Sequence, residues 1–169
     1  IGSPIFGWFS ERIGLRRPPF VTGMLISAVA QACIIFVSGL TVPAIAALCF
    51  IAGFGGAAQI VGFAATRGHN PAPLSGTAIG FVNCLMTAGG AVFQPLIGML
   101  LDLGWSGRIV DGARQYDIET WRVAFSVLIA GSVVSAICGC IVHETHCLPF
   151  EARKAGVSGP ATELQRATT

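Results

Sequence analysis

The sequence predicts an all-α membrane protein with four transmembrane helices preceded by the end of a fifth. Three observations carry that expectation. Only 11% of the 169 residues are charged and 53% are hydrophobic, with a mean hydropathy of +0.74, whereas soluble domains carry about 25% charged residues. Four apolar windows reach the roughly 20 residues needed to cross a hydrocarbon core of about 30 Å. The basic residues also fall unevenly on the two sides that four crossings define. A formal charge of +2 is too small to suggest nucleic acid as a partner, which leaves the lipid bilayer as the first one.

The chain opens on an apolar stretch, Ile1 to Phe9, that reads as the tail of a helix beginning upstream. With no initiator Met, the chain is expected to be a fragment. The basic residues follow this stretch instead of preceding it, which is the wrong order for a signal peptide. Gly7 to Arg17 is then a short charged hinge, Gly-Trp-Phe-Ser-Glu-Arg-Ile-Gly-Leu-Arg-Arg.

Span one is expected over about 20–38, after Pro18-Pro19, since proline in the first helical turn loses no intrahelical bond. Its Gly23, Ser27 and Gln31 share one face. A short uncharged turn leads to span two, about 43–66, in which Ala52, Gly55, Gly56, Gln59, Gly62 and Thr66 recur at steps near a helical turn. The loop from Arg67 to Pro73 breaks helix through Pro71 and Pro73.

Span three, about 74–101, has the clearest pattern: Gly76, Gly80, Asn83, Thr87, Gly90, Gln94 and Gly98 step by 4, 3, 4, 3, 4 and 4 residues and so share one stripe. Pro95 interrupts it and predicts a kink. The loop from Asp102 to Arg122 mixes both charge signs and should be solvated. Span four, about 121–142, starts at the interfacial Trp121 and has no Asn, Gln or charge in its middle. The domain division is therefore 1–142 in the membrane and a polar tail, 143–169, partly disordered at its end.

Four crossings place the hinge, the second loop and the tail on one side, with Arg12, Arg16, Arg17, Arg67, Arg153, Lys154 and Arg166; the other side holds Arg108, Arg114 and Arg122. Lys and Arg in flanking loops are retained in the cytoplasm, so hinge and tail are expected there, in a plasma membrane or bacterial inner membrane.

Gln59, Asn83, Thr87 and Gln94 are the candidate substrate-pathway residues, because polar groups inside a membrane mark water-filled routes. The competing reading is interhelical glue, worth about 1 kcal/mol per bond. Gly55, Gly56, Gly62, Gly76, Gly80, Gly90 and Gly98 are read as packing or gating glycines. Asp, Glu, Lys and Arg are absent from the middle of all four spans, so a coupling carboxylate for a proton or other ion is expected outside this chain. The cluster Cys138, Cys140, His143, His146, Cys147 matches no zinc spacing, and incidental cysteine in an apolar helix is the preferred account. No metal, cofactor or catalytic residue is assigned.

The hinge resembles the signature loop of the major facilitator superfamily, Gly-x-x-x-Asp-Arg-x-Gly-Arg-Arg. Gly7, Arg12, Gly14 and Arg16 match it, Glu11 stands for the aspartate, Leu15 for the first basic residue of the pair, and Arg17 adds a charge after the motif. The departures resemble the weaker second copy, between helices 8 and 9. On that likeness the chain is part of the C-terminal six-helix bundle, running from the end of helix 8 through helix 12 to a cytoplasmic tail, with the N-terminal helices as its partners. The likeness also implies that spans two and three border the substrate cavity while one and four are peripheral. It further implies that Glu11 and Arg12 act, with the rest of the loop, as a latch against a neighbouring helix end. The expected function is alternating-access transport of a small solute, not enzymatic. The alternatives are a self-contained four-helix exporter working as a dimer, which would need a membrane-embedded glutamate, and a membrane enzyme using the Cys/His cluster.

Overall fold

The computed structural model describes residues 2–110, 112–148 and Phe150. Helix α1 (Gly2–Ile13) leads into α2 (Arg17–Phe36), α3 (Val42–Gly56), α4 (Gln59–His69), α5 (Ala72–Leu103) and α6 (Ile118–Ile141), with a two-residue hairpin, β1 (Ile109–Val110) and β2 (Ala113–Arg114), before α6. Four helical stretches are long and apolar enough to cross a membrane: Arg17–Phe36, Val42–His69, Ala72–Leu103 and Ile118–Ile141. The all-α membrane fold therefore stands.

The hinge is much shorter than the sequence suggests. Helix α1 runs on to Ile13, because its one proline, Pro4, falls in the first turn, where it loses no intrahelical bond, and none follows. Only Gly14, Leu15 and Arg16 lie between α1 and α2. Gly14 closes the helix in the left-handed region at φ 67°, which favours glycine, and its N–H donates to the Glu11 carbonyl at 3.2 Å.

Span two is not one helix. After Gly56 the chain passes through Ala57 and Ala58, where N–H groups reach back three residues (Ala58 to Gly55, Ile60 to Ala57, Val61 to Ala58), a tightened turn that re-aims α4. The cause is the contact at this height. Gly23 of α2 and Gly55 of α3 meet so closely that a Cβ on Gly55 would lie 2.5 Å from the Gly23 carbonyl oxygen and 2.8 Å from the Ser27 nitrogen. Ala58, fully buried, packs beside them with Phe6, Met24, Val61 and Ala136, the small apolar core of the molecule.

Helix α2 is the centre of the bundle, and α6 ties down both of its ends. At the C-terminal end, Arg122 donates to the Ile35 and Phe36 carbonyls at 3.3 and 3.5 Å and to Ser38 Oγ at 2.8 Å, a cation at the negative end of the helix dipole. At the other end the chain just after α6 supplies the Glu144 carboxylate to the first N–H groups of α2. Gly139 of α6 lies against Phe20 and Val21, with no room for a side chain. In the middle, Ser132 donates to Gln31 Oε1 at 3.4 Å, and Gln31 Nε2 to Ser27 Oγ at 3.0 Å. The Gly23, Ser27, Gln31 face of span one is thus a packing face.

Helix α5 is the outlier. At 1.5 Å per residue its 32 residues extend about 48 Å, beyond a hydrocarbon core of about 30 Å. It remains helical across Pro95, and none of its residues is buried. The loop that follows is partly ordered: Asp102 holds Arg114 at 2.6 Å and accepts from the Tyr116 hydroxyl at 3.1 Å, while Arg114 lies over the Trp105 ring. These groups are exposed, so their contribution to stability is small.

Candidate functional site: an interior cavity, an open polar helix face and a capped signature loop

A cavity of about 740 Å³ lies between α2, α4 and α6. At its signature-loop end stand Arg16, Arg17, His69, Asn70 and His143; its shaft is lined by Phe20, Met24, Val61 and Phe63; Gln31 and Ser132 lie towards its far end. Of the pathway candidates only Gln59 lines it. Helix α5 reaches it through Val82 and Met86 alone. Those two residues immediately precede Asn83 and Thr87, and one residue is about 100° of rotation in a helix, so the cavity touches the flank of the stripe and not the stripe.

Asn83, Thr87 and Gln94 are instead exposed on the open side of α5. Thr87 Oγ1 donates to the Asn83 carbonyl of its own helix at 3.0 Å, and the Asn83 and Gln94 side chains have no hydrogen-bond partner among the described residues. A Cβ added to Gly76, Gly80, Gly90 or Gly98 would meet nothing within 4 Å, so these glycines pack against no described residue. Gly55 does pack tightly, whereas a Cβ added to Gly62 would lie 3.6 Å from the Phe20 ring and one added to Gly56 3.9 Å from the Ser27 hydroxyl oxygen. Glycines outside the stripes of spans two and three are tight as well: Gly2 against Ala57, Gly23 against Ala58, Gly104 against Thr120 and Gly139 against Phe20.

At the signature loop the carboxylate that caps α2 is not Glu11. Glu11 is exposed, and its carboxylate has no partner among the described residues. Arg12 lies over the Trp8 ring at 5.1 Å. The cap is Glu144. Its Oε2 accepts from the Arg17 N–H at 2.8 Å and the Arg16 N–H at 3.1 Å, and its Oε1 accepts from the Arg16 N–H at 3.0 Å and from Thr145 and His146. Partial burial alone would push this carboxyl up, but the N–H donors of Arg17, Arg16, His146 and Thr145 outweigh it and hold the group below its ordinary range. Arg17 completes the tie by donating to the Cys140 carbonyl. Ser10 Oγ donates to the Leu15 carbonyl at 2.9 Å, and Cys147 Sγ approaches the Ser10 carbonyl at 3.7 Å.

The start of the polar tail is therefore a packed element. His146 and Cys147 turn in the left-handed region at φ 49° and 58°, and Thr145 and Leu148 are buried. The expectation of disorder at the tail's end concerns 151–169, outside the described residues. Cys138 and His143 line the cavity while Cys147 faces the signature loop, and no group of three His, Cys, Asp or Glu close enough to hold a metal occurs among the described residues.

The sequence profile of the Major Facilitator Superfamily matches residues 1–164, nearly the whole chain. The chain belongs to the Major Facilitator Superfamily. No curated protein and no solved structure matches it. Membership makes it an integral membrane protein of a transporter family rather than an enzyme family. The residues from Gly7 to Arg17, which resemble the family's signature, are here helical as far as Ile13, and the N–H groups of Arg16 and Arg17 are capped by Glu144, a residue outside that stretch.

Proposed function

We propose that this member of the superfamily moves a small solute by alternating access, with its chain forming helices 8 (end) to 12 of the C-terminal bundle and the remaining helices belonging to the same transporter. The observation that carries this reading is the polar stripe of α5. Asn83, Thr87 and Gln94 lie exposed on a helix long enough to cross the bilayer. Polar groups left against lipid are costly, so such a face is turned to protein or to water. A stripe that alternates these residues with glycine suits a water-filled route walled by a second bundle. Gln59 borders the interior cavity and is a weaker member of the set.

In this reading the signature loop and Glu144 lie at the cytoplasmic face, of a plasma membrane or a bacterial inner membrane. Their contacts fix one rocking state. The coupling proton or ion, if one is used, is carried by a carboxylate on other helices.

Solute uptake or efflux by the full-length protein tests the reading directly. Asn83→Ala and Gln94→Ala are each expected to raise KM or lower the transport rate by about tenfold, the loss of one hydrogen bond of roughly 1.4 kcal/mol. Both variants are expected to keep wild-type thermal stability, because neither side chain has a bonding partner among the described residues. Unchanged transport in both would remove the stripe from the pathway.

A further inference from the structure

Arg16 poses a problem that neither the fold nor transport resolves. Its Nε and Nη1 atoms are shielded from solvent and have no hydrogen-bond partner among the described residues. Arg16 as a whole is half-buried, but shielding two of its guanidinium nitrogens without an acceptor is costly, and native structures leave few such groups unmet. Glu144 does not meet this need, because its oxygens are taken by backbone N–H groups of Arg16, Arg17, Thr145 and His146.

Arg16 lines the interior cavity, and the chemistry along that cavity is graded. Cationic or protonatable groups, Arg16, Arg17, His69 and His143, stand at one end, where α2 begins and α4 and α6 finish. Further in the walls are mainly apolar, with Phe20, Met24, Val61 and Phe63 joined by Val82 and Met86 from α5, while polar side chains recur at Ser27, Gln59 and Ser135. The lining of α2 extends from Arg16 to Gln31, about 20 Å at 1.5 Å per residue. A small soluble anion would use the charged end and leave the shaft empty. An amphiphile with one anionic head and one long apolar chain matches both.

We infer that this cavity binds an anionic phospholipid from the leaflet at the signature-loop end. Its phosphate lies against Arg16, with Arg17, His69 and His143 around it, and an acyl chain runs between α2, α4 and α6. Basic pockets between transmembrane helices recognise such headgroups, and the volume of about 740 Å³ has room for the headgroup and one acyl chain, the second chain staying in the bilayer. The phosphate supplies the acceptors that Arg16 lacks. Because Arg16 and Arg17 are also the residues whose N–H groups Glu144 caps, lipid occupancy stiffens the junction of α1, α2 and the chain after α6.

The test is lipid retention and thermal unfolding of the purified full-length protein in mild detergent, with dioleoyl phosphatidylglycerol, dioleoyl phosphatidylcholine or inorganic phosphate added. Phosphatidylglycerol is expected to remain bound as a single adduct by native mass spectrometry and to raise Tm, with phosphatidylcholine at least tenfold weaker and inorganic phosphate without effect. Arg16→Gln is expected to weaken phosphatidylglycerol binding at least tenfold, whereas Arg108→Gln, a cation at the opposite end of the bundle, leaves it unchanged. Ser135 of α6 also lines the shaft, and Ser135→Phe, which narrows it and keeps the cations, is expected to weaken lipid binding as well and keeps the test open if Arg16→Gln does not fold. Equal retention of the two lipids, or undiminished binding in Arg16→Gln and Ser135→Phe, overturns the proposal. Protection by inorganic phosphate equal to that by the lipid also overturns it, in favour of a small-anion site.

Discussion

Gly55→Leu is expected to destabilise the protein severely, by forcing α2 and α3 apart. The added Cβ alone would lie 2.5 Å from the Gly23 carbonyl oxygen, 2.8 Å from the Ser27 nitrogen and 3.2 Å from Ile26 Cγ2. Two of these are backbone atoms of α2, which cannot rotate out of the way, so the helices must separate. Overpacking of this kind costs about 1–3 kcal/mol for a small addition, and leucine adds three more carbons at the same crossing. Thermal unfolding in detergent should show Tm lower by about 10 °C, taking about 2–4 °C per kcal/mol for a chain of this size. Gly80→Ala on α5 is the matched control. Its Cβ meets nothing within 4 Å, and alanine is the better helix former, so Tm should be unchanged or slightly raised. A Gly55→Leu protein as stable as wild type would mean that α2 and α3 do not cross at Gly23 and Gly55.

Glu144→Ala is the second large effect. Four backbone donors at the junction of α2 and the chain after α6 lose their acceptor together. Losing a helix cap costs about 0.5–2 kcal/mol, and losing an anion at a helix N-terminus about 0.3–1 kcal/mol more. Partial exposure keeps the sum to about 2 kcal/mol. The pH dependence gives the sign. Glu144 has a folded-state pKa held below its ordinary value, so its stabilisation is fully present above the unfolded carboxylate pKa of about 4.3 and is lost as pH falls through the folded value. The stability difference between wild type and Glu144→Gln should therefore be flat from about pH 7 to about pH 5 and shrink below that. A difference that grew on acidification would contradict the capping role. Glu11→Gln, whose carboxylate has no partner among the described residues, should show neither effect.

What is legible in the sequence follows from which forces are local. The four spans are readable because membrane crossing imposes a length and a composition on consecutive residues, and the signature is readable because its spacing is contiguous. The break in span two is not. It arises where Gly23 and Gly55 touch; Gly55 and Gly56 mark a packing position in the sequence, but nothing in the run from Phe54 to Gln59 says that the helix breaks there. Glu144 is hidden for a similar reason: its partners lie 127 and 128 positions away, and the carboxylate within the motif, Glu11, is the obvious candidate by proximity. The interior cavity is invisible because its lining comes from α2, α4, α5 and α6 together, with serines of α6 too sparse to form a stripe. The α5 stripe is the opposite case. Its periodicity is plain, yet a stripe fixes a face and not what the face meets, which is why packing and pathway readings of the same residues stand side by side.

Aqueous access to that stripe is the most direct test. In a background with the six native cysteines replaced, single substitutions Asn83→Cys, Thr87→Cys and Gln94→Cys would be treated in native membranes with a membrane-impermeant maleimide, beside Leu85→Cys on the apolar side of α5. A water-lined pathway predicts rapid labelling at Asn83→Cys, Thr87→Cys and Gln94→Cys, slowed by the transported solute, and little at Leu85→Cys. Protection of all three stripe positions to the level of Leu85→Cys, with or without solute, would show a buried packing seam and contradict the account.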